Sequence, residues 1–131
     1  MAVSGDDRTE GVYNMVAKQG ETFDRSFVYR DDNGAVINLS GYSAAMKVRK
    51  FYPATSLQAA YSDAAVVSIS SGTGEITLTA LTGQVDISIP SATTAAVPPG
   101  TYNYDIELTS GGGEVYKIAR GFFDVEAEAT Y

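Results

Sequence analysis

In this chain of 131 residues, the best candidates for acid–base catalysis are two carboxylates two residues apart, Asp105 and Glu107. A glycosidase needs two carboxyl groups about 5 to 10 Å apart, facing each other across a cleft. Polar and apolar residues alternate through 102–108, which predicts a strand with both acids on its wet face. On such a face acids more often pair with cations of a neighbouring strand, here Lys117 or Arg120. We therefore interpret the pair as surface charge and predict no catalytic residue and no enzyme.

The composition excludes several other kinds of site. The chain has no Cys and no His, which removes thiolate nucleophiles, imidazole bases and most zinc sites. Its formal net charge of −7 repels phosphate backbones and anionic lipids, so we predict neither a nucleic-acid nor a membrane partner. No apolar run approaches the roughly 20 residues that span a bilayer. The polar, acidic start of the chain does not resemble a signal peptide, so we expect a protein made and used without export.

Three loops contain residues typical of ligand sites, and each is better explained as a turn. Asp31-Asp32-Asn33 offers oxygens to a calcium ion but lacks the spacing and the closing Glu of an EF-hand loop. Gly72-Thr73-Gly74 and Gly111-Gly112-Gly113 are rich in glycine, yet neither opens a helix after a strand, as phosphate loops do. We predict no metal and no cofactor.

Alternation at period two recurs along most of the chain, whereas helical periodicity is nowhere sustained. The sequence predicts an all-β fold, an antiparallel Ig-like β-sandwich of about eight strands, with one short helical turn near residues 91–96. We expect one sandwich domain over residues 12–131, preceded by an N-terminal arm over residues 1–11. The expected strands are Val12–Lys18, Thr22–Arg30, Val36–Leu39, Tyr42–Lys50, Ala64–Ser70, Glu75–Thr79, Val85–Ile89, Thr101–Thr109 and Glu114–Ala127.

Four local features follow from turn and capping residues. Asn33-Gly34 predicts a type I′ hairpin turn, and Ser71–Gly74 predicts a tight hairpin between the strands on either side of it. Ser91 is the expected N-cap of the short helical turn. Gly121 is the expected site of a β-bulge, because the inward-facing positions of the last strand shift by one residue near it.

The residues expected to contact a partner lie in the arm, in the irregular segment Phe51–Asp63 and at the end of the chain. Tyrosine contributes a large contact area at low entropic cost, which favours Tyr52 and Tyr61 as interface anchors. The same two rings would suit sugar stacking, so a carbohydrate-binding module remains an alternative. The candidate interface residues are Val3, Asp6, Arg8, Phe51, Tyr52, Leu57, Tyr61 and Tyr131.

An ordered set of motifs covers about residues 12–126. It begins with Gln19-Gly20-Glu21-Thr22-Phe23, an Asn-Gly hairpin and Leu39-Ser40-Gly41-Tyr42. It continues with Pro98-Pro99-Gly100-Thr101-Tyr102, Tyr104 to Leu108, a glycine-rich turn, Val115, Arg120-Gly121, Phe123 and Val125. The set resembles small bacteriophage tail, baseplate and prophage proteins. It is similar to the N-terminal domain of the siphophage upper baseplate protein that anchors the receptor-binding protein.

The resemblance implies an Ig-like sandwich that serves as a virion structural or adaptor module, and it implies no catalytic residue. We accordingly expect a tail, baseplate or fibre-attachment protein that is assembled in the host cytoplasm and docks on other virion proteins. Several copies are expected in the assembly, as a homo-oligomer. Decoration of the capsid or neck is an alternative placement.

Overall fold

The computed structural model describes residues 11–50 and 65–128, which form two β-sheets packed face to face. The large sheet has the strand order β1-β9-β8-β4-β5, with β2 also paired to β9, and the small sheet has the order β3-β7-β6. A 3-10 turn at Ala80–Thr82 precedes β7, and helix α1, Ser91–Ala95, precedes β8. The strands are β1 Gly11–Val12, β2 Met15–Lys18, β3 Phe23–Val28, β4 Ser43–Lys50, β5 Val67–Ser70, β6 Ile76–Thr79, β7 Gln84–Ile89, β8 Gly100–Thr109 and β9 Val115–Glu126.

The strand order is that of an immunoglobulin-type sandwich. The triplets β3-β7-β6 and β4-β8-β9 correspond to the B-E-D and C-F-G triplets of such folds. The predicted all-β sandwich and its short helical turn are thus confirmed. Two pairings depart from the expected antiparallel arrangement, because β1 and β2 both run parallel to β9.

Alternating apolar side chains of both sheets form the core between them. Met46, Val48, Ile106 and Leu108 of the large sheet are fully buried, as expected from their period-two spacing. The Phe23 and Phe123 rings meet across the sandwich edge to face, with centroids 5.1 Å apart. Burying each of these large side chains contributes about 1.5 to 3 kcal/mol, so the core is the main source of the fold's stability.

The start of β8 is fixed by a tyrosine corner. The hydroxyl of the buried Tyr102 donates to the backbone oxygen of Pro98 at 2.6 Å, four residues upstream. The two prolines at 98 and 99 cannot continue α1, and the corner then turns the chain into β8. The motif Pro98–Tyr102 therefore joins the two sheets rather than serving as a site.

The expected hairpin between β5 and β6 is wrong. β5 pairs with β4 in the large sheet, whereas β6 pairs with β7 in the small sheet. The residues at 71–74 do turn, but they carry the chain from one sheet to the other. Turn residues specify a reversal of direction and do not specify whether the flanking strands pair.

The loop at residues 31–34 turns differently from the expected type I′ turn. The amide of Gly34 donates to the backbone oxygen of Asp31, so Asp32 and Asn33 are the central residues and Gly34 follows them with φ +83°. This is the type I turn with a left-handed glycine that three-residue hairpin loops use. The carboxylate of Asp31 accepts from the amides of Asn33 and Ala35, which fixes the turn from within.

Two further local predictions are corrected. The β-bulge of β9 lies where Ile106 pairs with Ala119 and Glu107 with Lys117, so Ile118 is the extra residue and Gly121 is not the bulge. Helix α1 begins with Ser91 itself; its N-cap is Pro90, and no side chain caps it.

Candidate docking surface

All eight residues expected to contact a partner lie outside the described ranges 11–50 and 65–128. Their role stays a prediction from the sequence. These residues are Val3, Asp6, Arg8, Phe51, Tyr52, Leu57, Tyr61 and Tyr131.

The two carboxylates of β8 share one cation. Lys117 Nζ lies 3.2 Å from Asp105 Oδ2 and 2.8 Å from Glu107 Oε2, on the exposed face of the large sheet. The hydrogen bond to Glu107 is the main cause of a raised pKa of Lys117; Asp105 adds to it and partial burial opposes it. The predicted pairing with a cation of the next strand is confirmed for Lys117. Both carboxylates thus point the same way, bound to an ammonium group, and do not face each other across a cleft.

Across a break between them, β1 and β2 together pair with β9 from Ala119 to Glu126. The Tyr13 amide donates to Arg120 O at 2.8 Å, while the Tyr13 carbonyl turns away and accepts the Tyr104 hydroxyl at 2.7 Å. The Phe122 amide donates to the side-chain oxygen of Asn14 at 3.0 Å. A side-chain amide thus provides the acceptor at the break, and the strand continues into β2.

This edge presents apolar side chains on the outer face of the large sheet. Val12 is 59% exposed, Val16 44% and Phe122 41%. Val12 pairs with Arg120 and Val16 with Asp124, so Phe122 lies between the two valine levels. We call Val12, Val16 and Phe122 the outer cluster. Large exposed apolar side chains grouped on one face are typical of protein contact sites.

Charged residues flank the outer cluster along β9. Arg120 lies two residues before Phe122, and Asp124 two residues after it, on the same outward-facing side of the strand. One carboxylate oxygen of Asp124, Oδ1, is shielded from water and accepts no hydrogen bond within the described part of the chain. The outward-facing residues of β9 therefore form a row in the order cation (Arg120), aromatic ring (Phe122) and anion (Asp124).

The outer face of the small sheet has a different character. Ser26 Oγ donates to Asp86 Oδ1 at 2.5 Å, and Gln84 Nε2 donates to the same carboxylate at 2.8 Å. In the strands of this sheet, as far as the structure describes them, no large hydrophobic side chain is exposed. The large sheet is therefore the better candidate for docking.

Sequence reasoning missed the outer cluster, although part of its signal was present. Once Phe123 and Val125 are placed inward, alternation requires Phe122 to point outward. The same argument turns Val16 outward, because Met15 and Ala17 are buried. What the sequence lacks is the pairing of β1 and β2 with β9, which brings these side chains together.

The described residues contain neither a candidate metal site nor a candidate membrane-spanning helix. No group of three or more His, Cys, Asp or Glu residues there is arranged to hold a metal ion. Within the same ranges, no helix has the length and hydropathy required to cross a bilayer.

Comparisons with known proteins give similarity in structure at low sequence identity. No family model matches the chain, and no curated protein matches it. Extracellular domains 3–5 of Drosophila OTK are 16% identical with a TM-score of 0.34, over 97% of this chain and 35% of that one. A family 123 glycoside hydrolase from Clostridium perfringens is 15% identical with a TM-score of 0.34, over 90% of this chain and 23% of that one. The chain thus spans about a third or less of the length of either protein.

Proposed function

We propose that this chain is a bacteriophage virion structural protein, a tail, baseplate or fibre-attachment adaptor that acts by docking on other virion proteins. Docking is supported by the outer cluster on the large sheet, where Val12 and Phe122 expose apolar surface beside charged residues. The motif resemblance over residues 12–126 supports the virion as the place. In this proposal the protein is not an enzyme, and its partners are virion components and further copies of itself.

The face that would dock is held by the fold rather than by flexible loops. Phe122 lies on β9, whose long pairing with β8 runs from Val115 to Val125. A partner therefore meets a preorganised surface, which lowers the entropic cost of binding. The paired charges of Asp105, Glu107 and Lys117 on the same face favour correct orientation more than affinity.

The test is particle assembly in a phage whose genome encodes the chain. Deletion of the gene should remove infectious particles, and the wild-type chain supplied from a plasmid should restore the titre. A chain lacking residues 1–10, a limit chosen because Gly11 is already paired in β1, should fold but fail to enter particles. Complete, infectious particles from the deleted phage, with no trace of the chain in wild-type particles, would contradict the proposal. Full occupancy by the truncated chain would contradict a role for the arm.

Two alternatives have distinct outcomes. Labelling of the chain in purified particles by electron microscopy separates a tail or baseplate position from decoration of the capsid or neck. A carbohydrate-binding module would bind a glycan array as an isolated chain, and a Tyr52→Ala variant would lose that binding.

A further inference from the structure

We propose that the outer cluster binds a second copy of this chain, face to face across a two-fold axis. The inference deepens the proposed function by naming the partner, and it rests on that function only in treating the outer cluster as a docking surface. The charged and apolar side chains along β9 and the first strand are arranged as such a contact requires.

The row on β9 is complementary to itself. Arg120, Phe122 and Asp124 are spaced by two residues and lie on the outward side of one strand, so they form a straight row with the ring at its centre. The proposed two-fold axis lies in the plane of the contact, runs perpendicular to the strands and passes over Phe122. Rotation about this axis exchanges the two ends of the row. Arg120 of one copy then faces Asp124 of the other, twice, and the two Phe122 rings meet at the axis.

The neighbouring strand obeys the same symmetry. Val12 lies beside Arg120 and Val16 beside Asp124, so the axis places Val12 of one copy against Val16 of the other. A two-fold interface requires this kind of self-complementarity. If one residue of the first copy contacts a second residue of the other copy, the same two residues also meet with the copies exchanged.

The size of the face sets the expected strength. At about 3.3 Å per residue along five residues and about 4.8 Å per strand across three strands, the outer cluster with its flanking charges and the adjoining residues of β8 covers roughly 240 Å² per copy. Stable dimers bury about 800 Å² per partner, so this contact should be weak alone. In an assembly that already holds copies side by side, the high local concentration compensates. The net charge of −7 opposes association at long range, and physiological salt screens that repulsion.

The decisive experiment uses two charge-reversed full-length chains, Arg120→Asp and Asp124→Arg. Sedimentation at concentrations up to about 1 mM in physiological salt should show self-association of the wild type. Each variant alone should associate at least about tenfold more weakly, because like charges then face each other twice. An equimolar mixture should regain association, since the aspartate introduced in one variant then meets the arginine introduced in the other. Recovery in the mixture also shows that both variants are folded.

Two further variants define the surface. Phe122→Ser should weaken association at least about tenfold by removing the ring at the axis. Val115→Ser is the matched control, because Val115 is 54% exposed on the same strand but far from the axis, and it should associate like the wild type. A wild type that stays monomeric at about 1 mM, or a mixture that fails to associate, overturns the second-copy proposal. Neither result affects particle incorporation, on which the proposed function is tested separately.

Discussion

The carbonyl oxygen of Tyr13 occupies the space that a β-carbon on Gly121 would need. A Cβ built there would lie 2.2 Å from that oxygen, and the φ of Gly121 is +156°. The same oxygen accepts the Tyr104 hydroxyl at 2.7 Å, so it is held in place and cannot easily withdraw. Gly121 is therefore the residue that allows the first strand to run against β9, and with it the outer cluster to form.

Gly121→Ala should destabilise the fold by about 3 kcal/mol, because the methyl group must displace the Tyr13 backbone from its hydrogen bonds. Urea unfolding followed by circular dichroism measures the loss. Gly112→Ala is the matched control, since its Cβ would meet nothing nearer than Ser110 Oγ at 3.8 Å, and it should change stability by less than about 0.5 kcal/mol. Equal losses in the free energy of unfolding of the two variants would show that the close approach of Gly121 to Tyr13 does not affect stability.

Gly121 shows how much of the last strand can be predicted from the local sequence pattern. Alternation correctly divides the last strand into inward and outward residues on both sides of the shift, and a glycine near the shift indicates a bulge. The bulge instead lies at Ile118, which is buried in the core. Gly121 is required because the Tyr13 backbone approaches it closely. Tyr13 lies more than a hundred residues away in the sequence, so no local sequence pattern reveals that contact.

The candidate site was predictable in its parts but not as a whole. The outward direction of Phe122 and Val16 follows from period-two alternation, and so does the wet face that holds Asp105 and Glu107. The placement of Val16 beside Phe122 depends on the parallel pairing of β2 with β9, which hydrophobic periodicity does not encode. The order of strands in the sheets is likewise set by long-range packing.

The tyrosine corner makes Tyr102 a sensitive position. Tyr102→Phe keeps the buried ring and removes only the hydroxyl that donates to Pro98 O, so we expect a loss of about 1 kcal/mol in the free energy of unfolding. Tyr42→Phe is the control, since the half-buried Tyr42 ring packs on the core, and we expect no measurable change. If both variants unfold at the same denaturant concentration as the wild type, the corner is not stabilising.

Thr94 ties helix α1 to the turn after β2. Its buried hydroxyl donates to Glu21 O at 2.9 Å and accepts from the Gly20 amide at 3.1 Å. Thr94→Val keeps the shape and leaves both backbone groups unpaired, so we expect a loss of about 1 to 3 kcal/mol in thermal or urea unfolding. The neighbouring Thr93→Val, also β-branched and in the same helix, should cost less than about 0.5 kcal/mol. A Thr94→Val protein as stable as Thr93→Val would refute the role of this hydroxyl.

Stability should fall in alkali. The Glu107 hydrogen bond raises the pKa of Lys117 from 10.5, and burial raises the pKa values of Tyr13 and Tyr102 from 10.0. Each group holds its proton more tightly when folded, so its contribution is complete below the unfolded pKa and is lost as the pH rises through the folded pKa. The free energy of unfolding should therefore be level between about pH 8 and 9.5 and decline above about pH 10. Urea titrations at several pH values should show a shallower decline for a Lys117→Gln, Tyr102→Phe double variant, because two of the three groups are gone. A decline as steep as that of the wild type would mean that other groups govern the alkaline limit.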